Sequence, residues 1–279
     1  KPLGKSRALN DGLNVSQGEI VVTTDVDCVF PKEWLKTLVS PFSINKDVVA
    51  IGGRAEVLNN VNFITTYFKI YEEILLKQVQ WPSSVLGGEN SAFRKSTLKA
   101  LGAFNENIRR LVDHEMEMRI RSQGLKTMYN PDARVQREYP QTIFDFIKQQ
   151  RRWSRGNLEL TIDYKEFRFP KRSASSSLRF IYSLKSYLEP LFFLLIGVVS
   201  IFNPAFLYFA LVAFCTLLII NMSKIVSATI YAKDQTLLKH LWLPLMFIPL
   251  NLLVHFLSLL DWFTRRKEKP TFETPRYGA

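Results

Sequence analysis

Apolar and polar positions fall into two regimes along this chain. In the first half they alternate at helix and strand spacings, whereas most of the stretch from Tyr187 to Phe263 is nearly free of charge. Lys5 to Val15 carries Ala8, Leu9, Leu13 and Val15 among polar residues, which predicts a short amphipathic helix ended by Gly18. The β-branched run Ile20 to Thr24 predicts a strand buried on both faces, running into Asp25-Val26-Asp27. Pro31 to Val39 suits a helix with Pro31 in its first turn and Trp34, Leu35 and Leu38 on one side. Val48 to Val57 reads as a strand interrupted by Gly52-Gly53. Phe63 to Leu76 is helical, too short and too charged to cross a bilayer, and is expected to pack on the sheet or lie at an interface. Leu98 to Phe104 leads into a loop, and a helix runs from Val112 through Ile120 to stop at Gly124. After Tyr139-Pro140, bulky residues give way to Gln, Arg and Trp over Gln141 to Gly156, a pattern that suits a helix at a membrane boundary.

The charge-poor half divides at Asn203-Pro204, a strong turn signal. Tyr187–Phe202 and Ala205–Ile220 then form a helical hairpin of spans, and Leu241 to Phe263 is a third candidate that Pro244 and Pro249 should bend. Placing the basic residues around Lys148–Arg172 in the cytoplasm also puts the Lys224–Lys239 connection there. A single third span would then export the basic tail. That conflict predicts a further span within Ile219–Ala232, or a re-entrant Pro-bent segment. Asn251 and His255, four positions apart, either line a polar cavity or, more in keeping with ordinary use, join helices.

A net charge of +12 and a pI near 9.7 suit nucleic acid, an anionic membrane face or an anionic substrate. The basic residues cluster at Arg134–Arg137, Lys148–Arg155, Arg168–Arg172 and Arg265–Lys269, beside the apolar segments, which favours the membrane. No nucleic-acid-binding pattern accompanies them. Two cysteines in very different settings do not make a disulfide framework, and three scattered histidines do not make a zinc site. The chain opens on Lys1 with a helical pattern almost at once, as a fragment of a longer protein would.

Chemistry gathers at three places. Asp25 and Asp27 at a strand's carboxyl end suit a hard divalent cation shared with a substrate's phosphates, although a plain polar loop fits the triplet equally well. Gly87-Gly88-Glu89-Asn90 lets backbone approach a ligand and offers an amide, with a simple turn as the competing reading. Asp113, at a helix start, serves either as cap or as general base.

Taken in order, these pieces resemble the membrane-integrated family 2 glycosyltransferases, the group of cellulose, chitin and hyaluronan synthases. Gly4-Lys5-Ser6-Arg7-Ala8-Leu9-Asn10 is similar to the family's Gly-Lys-x-x-Ala-Leu-Asn segment, Asp25-Val26-Asp27 to its Asp-x-Asp, Asp113 to its catalytic-base Asp, and Gln149, Arg152 and Trp153 to Gln-x-x-Arg-Trp. Val112 stands where the family usually has Glu, and the family's first strands, with an earlier nucleotide-binding Asp, have no counterpart. The resemblance implies an α/β domain of GT-A, Rossmann-like class followed by transmembrane helices: a partial catalytic domain over 1–140, interfacial helices over 141–180, transmembrane helices over 181–263 and a basic tail over 264–279. It implies inverting transfer from a UDP- or GDP-linked sugar to a growing polysaccharide, or a single sugar to a lipid, at the cytoplasmic face of a multi-pass cell-membrane protein; a non-catalytic scaffold is the contrasting reading. Asp113 is then the base, Asp25 and Asp27 hold Mg²⁺ or Mn²⁺, Lys5, Asp25 and Arg152 bind the donor, and Gly88, Asn90, Gln149 and Trp153 the glycan or lipid acceptor. The expected partners are the nucleotide sugar, the acceptor and the bilayer, with no nucleic acid.

Overall fold

The computed structural model describes residues 4–71, 86–108, 110–162 and 174–264, with side chains from 184 onward in the last range. The chain divides into two compact units, one holding the chain up to Val61 and Tyr71–Tyr139, the other Asn62–Ile70 and Pro140–Lys269.

The first unit is built on a five-stranded mixed sheet. Its strands are β1 (Ile20–Thr23), β2 (Cys28–Val29), β3 (Val48–Val57), β4 (Ser91–Arg94) and β5 (Lys126–Arg137), in the order β1-β4-β3-β5-β2. Only β3 and β5 run parallel; β4 lies antiparallel to both β1 and β3, and β2 antiparallel to β5. Helices α1 (Lys5–Val15), α2 (Trp34–Val39), α3 (Pro41–Ile44), α5 (Lys95–Ala100) and α6 (Val112–Ser122) accompany the sheet, α4 falling in the second unit.

Successive strand residues face opposite sides, so Phe93 and Ala92 enter different apolar layers. Phe93 joins Val49 of β3 and Leu13, Leu98, Phe104, Val112, Met116 and Ile120, which come from α1, α5, α6 and their loops. Ala92 joins Leu38, Phe42, Val48, Ile51 and Ala133, beneath α2 and α3. The sheet is therefore covered on both faces.

Some local expectations change. Pro31 precedes α2 rather than opening it: its carbonyl accepts the Trp34 N–H at 2.9 Å in a turn. Gly52-Gly53 does not interrupt β3, which runs unbroken with a bulge at Gly53/Arg54. Opposite it, β5 passes from Asn130 to Arg134 while β3 advances one residue, so the bulge absorbs Pro131, which has no N–H for the ladder.

The second unit begins with α4 (Phe63–Phe68). Asn62 starts it through a capping box, its Oδ1 accepting the Ile64 and Thr65 N–H groups while Thr65 Oγ1 accepts the Asn62 N–H. This segment sets Tyr67 and Phe68 against α7 (Ile143–Ile162) and α10 (Leu243–Thr264); Tyr67 stacks on Phe247 at 3.8 Å and meets Phe146 edge-on. Residues 72–76 of the predicted helix, and the basic clusters Arg168–Arg172 and Arg265–Lys269, lie outside the described residues.

Helices α8 (Ala174–Phe202) and α9 (Ala205–Ala232) form the expected hairpin, with the Ala205 N–H bonded to Asn203 Oδ1 at the turn. Three described helices are long and apolar enough to cross a membrane: Leu184–Phe202, Ala205–Ala232 and Leu243–Thr264. The proposed extra span over Ile219–Ala232 is not separate. That segment continues α9, whose 28 residues lack an internal Gly or Pro to break them. Pro249 lies inside α10, and Pro244 sits in its first turn, where a missing N–H is harmless.

Candidate active site

Sheet order determines which loops meet. Because Thr23 at the end of β1 pairs with Ser91 at the start of β4, and Gly52 of β3 pairs with Ser91 from the other side, the Gly87–Asn90 turn must lie beside the Thr24–Asp27 segment. Thr24 Oγ1 accordingly donates to the Glu89 carbonyl at 3.0 Å, and the Gly53 N–H donates to the Asn90 carbonyl at 2.8 Å.

Helix α6 docks along this turn through two carboxylates. Asp113 and Glu117 stand one helical turn, about 6 Å, apart on α6, and each accepts a backbone N–H from the chain entering and opening this turn. Gly88 N–H donates to Asp113 Oδ2 at 2.9 Å and Leu86 N–H to Glu117 Oε2 at 3.2 Å. Leu111, just before the helix, holds φ at 54°, a left-handed conformation that costs a branched residue about 1 kcal/mol or more. Val112 sends its side chain into the core, which explains why an apolar residue suits a position where an acid was expected.

Lys5 closes the arrangement from α1. Its Nζ donates to Asp25 Oδ1 at 2.6 Å. A methyl placed on Gly88 would come within 2.7 Å of that Nζ and 3.8 Å of Asp113 Cγ, so ammonium and carboxylate meet over the bare glycine. Burial pulls the Lys5 pKa down, but Asp25, by charge and hydrogen bond, with Asp113 and Glu89, outweighs it and the net shift is upward. Buried Cys28 reports the same field: desolvation first, then the charges of Asp27, Glu89 and Asp25, push its thiol up to about 12.

The structure thus gathers Lys5, Asp25, Gly88 and Asp113 at one place, with exposed Asp27 in the adjoining turn. Asn90 has a different position from the one its spacing implied. It is buried, its Oδ1 accepting from Trp34 Nε1 at 2.9 Å and its Nδ2 donating to the Arg54 and Ala133 carbonyls at 3.1 and 2.8 Å. Its amide thus ties α2 to β3 and β5. Glu89, paired with Arg137 at 3.5 Å, is a site neighbour that sequence reasoning passed over; its place after a glycine pair was the available signal. Gln149, Arg152 and Trp153 lie on α7 in the second unit: Gln149 buried, Arg152 exposed and Trp153 half-buried.

Among the described residues no cluster of three His, Cys, Asp or Glu side chains is placed to hold a metal ion. Asp25 and Asp27 nevertheless fit a hard divalent cation, as two carboxylates in a region negative enough to disfavour a thiolate, provided phosphate oxygens complete its coordination.

A family model described as glycosyl transferase family group 2 matches residues 20–224. The chain belongs to this glycosyltransferase family. Relatives include a probable glycosyltransferase, YdaM, of Bacillus subtilis, 26% identical over 171 residues, which are 58% of this chain and 40% of that protein. The poly-beta-1,6-N-acetyl-D-glucosamine synthase of Staphylococcus epidermidis is 24% identical over 57% of this chain and 40% of its own length. The beta-monoglucosyldiacylglycerol synthase of Synechocystis is 29% identical over 58% of this chain and 34% of its own. The matches span about two fifths of these curated relatives. Among solved structures, the mannosyltransferase PcManGT of Pyrobaculum calidifontis, in complex with GDP-Man and Mn²⁺, superposes with a TM-score of 0.53 at 18% identity, covering 95% of this chain and 68% of that one. The fold class expected from sequence, a GT-A-like α/β domain followed by long apolar helices, is the one found.

Proposed function

We propose that the full protein transfers a sugar from a nucleotide-sugar donor, with inversion, to a growing polysaccharide at the cytoplasmic face of a membrane. The observation that carries this reading is the meeting of Asp113, Lys5 and Asp25 over Gly88. Asp113 accepts a backbone N–H through Oδ2, so Oδ1 is the oxygen offered to an acceptor hydroxyl as general base. Asp25 and Asp27 hold Mg²⁺ or Mn²⁺, which neutralises charge on the departing diphosphate. Lys5 supplies a cation that burial has not neutralised, and Arg152 adds a guanidinium for phosphate oxygens. Gln149 and Trp153 serve the acceptor, with an aromatic face for the apolar side of a sugar ring. Asn90 acts only by holding the Gly87–Asn90 turn in place.

A lipid acceptor is the second reading, favoured by similarity to a protein named as a glucosyldiacylglycerol synthase. Incubating the full-length protein in bilayers with labelled UDP- and GDP-sugars separates the outcomes. Polymer of increasing length supports the first reading and a singly glycosylated lipid the second. Absence of any transfer, with Asp113→Asn indistinguishable from the parent, would leave a membrane scaffold instead.

A further inference from the structure

Helix α10 is apolar except along one face, where Asn251, His255, Ser258 and Asp261 follow at steps of four, three and three. Each touches another helix of the same unit. Asn251 Nδ2 donates to Tyr67 Oη on α4 at 3.3 Å, and His255, whose Nδ1 bonds the Asn251 carbonyl of its own helix at 2.7 Å, meets the Tyr187 ring of α8 edge-on at 5.5 Å. Ser258 Oγ donates to the Val254 carbonyl of its own helix at 2.7 Å and lies 3.3 Å from the Arg151 carbonyl, and Asp261 receives Arg151 Nε and Nη2 on its two oxygens, each at 2.5 Å.

Arg151 adjoins Arg152 inside the Gln149–Trp153 segment, yet it faces α10 rather than a substrate. We propose that Asp261 is a positioning residue for that segment: its two-point ion pair with Arg151 sets the rotation of α7 about its axis, and with it the directions of Arg152 and Trp153. The inference rests on the glycosyltransferase reading for its functional consequence, though not for its structural one.

Three features support it. Asp261 is 7% exposed while the Arg151 side chain keeps 36% of its surface, and such a half-buried ion pair adds little net stability while demanding one geometry. A forked guanidinium on both carboxylate oxygens resists rotation as a single contact does not. Finally, α7 is gripped a second time from α8, where Tyr187 Oη donates to the Ser154 carbonyl at 2.5 Å while Ser154 Oγ donates back at 3.3 Å. Arg151 and Ser154, three residues apart, share a helix face. With that face held, residue 152 projects about 100° around from Arg151, which matches the exposure of Arg152. A misplacement of about 1 Å at a reacting centre lowers rates by about 10²-fold.

The test uses the full-length protein in bilayers. Asp261→Asn should lower kcat/KM about 10- to 100-fold and Asp261→Glu should restore most of it. In an Arg152→Ala/Trp153→Ala background, Asp261→Asn should add less than about threefold, because its effect runs through the two side chains already removed. Multiplying effects, or an unchanged Asp261→Asn enzyme, would overturn the proposal. A second readout needs no activity. With 5-fluorotryptophan incorporated, the ¹⁹F resonance lost in Trp153→Phe identifies Trp153; Asp261→Asn should shift that resonance, leave that of Trp34 in place, and be reversed by Asp261→Glu. A stationary Trp153 resonance refutes the anchoring role. A parent protein that transfers no sugar, with a shifted Trp153 signal, refutes the glycosyltransferase reading alone.

Discussion

Gly88 donates its backbone N–H to Asp113 Oδ2 at 2.9 Å, so the candidate base is aimed by main chain rather than by another side chain. Main chain cannot swing away, and the interaction leaves the second carboxylate oxygen for an acceptor. Replacing Asp113 by Asn keeps an acceptor for that N–H while removing the proton-accepting charge. Transfer should fall by about 10²- to 10⁴-fold with donor binding retained, as measured by turnover beside calorimetric titration of the nucleotide sugar.

Gly88→Ala tests Lys5. The added methyl meets the end of a flexible side chain, so thermal stability should change by less than about 1 kcal/mol. The displaced ammonium no longer sits between Asp25 and Asp113, and the donor KM should rise. Since the Lys5 pKa is raised on folding, its contribution to stability is whole below the ordinary lysine value of 10.5 and is lost only as pH rises beyond it. A pH titration of the melting temperature, comparing the parent with Lys5→Met, should show curves that converge only on that alkaline side.

Gly53→Ala should behave in the opposite way. Its methyl would lie 2.2 Å from Asn90 Nδ2 and 2.3 Å from the Ala133 carbonyl, inside the sheet where neither can retreat. A loss of about 1–3 kcal/mol or more is expected, read as faster proteolysis and lower yield of folded protein. Asn90→Ala should resemble it, since Trp34 Nε1 and two carbonyls lose their partner, at about 1–3 kcal/mol for each buried group left unsatisfied.

Cys28 offers a pH test. A thiol pushed up to about 12 by burial and neighbouring carboxylates stays protonated through the usual alkylation range. In a Cys215→Ser background, iodoacetamide labelling of the native protein should remain slow from pH 7.5 to 9.5 and become fast on denaturation. Steep labelling near pH 8.5 would show that burial and the neighbouring carboxylates do not hold the thiol protonated.

The sequence was most legible where pattern and local chemistry agreed. Lys5–Val15 is a helix as its periodicity predicts, and Ile20–Thr23 is a strand as its β-branched run predicts, although its place at the sheet edge leaves it half-buried rather than buried on both faces. Strand β5 was missed because Asn130-Pro131-Asp132 carries the composition of a turn; the bulge hides a turn signal inside twelve residues of strand. Asn90 is a related case: its amide has the right chemistry for a ligand, and the pairing of β4 between β1 and β3 reveals that Trp34 and two carbonyls engage it. Asp25 and Asp113, by contrast, needed no tertiary knowledge to be singled out, although their meeting through Lys5 and Gly88 depends entirely on strand order.

The length of α9 has a further consequence. Its 28 residues extend about 42 Å, whereas a hydrocarbon layer is about 30 Å thick. A bilayer entered at Ala205 would be exhausted close to Lys224, whose ammonium could then reach phosphate headgroups. The final two turns would stand in the aqueous phase, and there Ile225, Ala228 and Thr229 are shielded by the protein itself. A helix placed so would measure out the membrane's thickness with its first five turns and keep the remainder for folding.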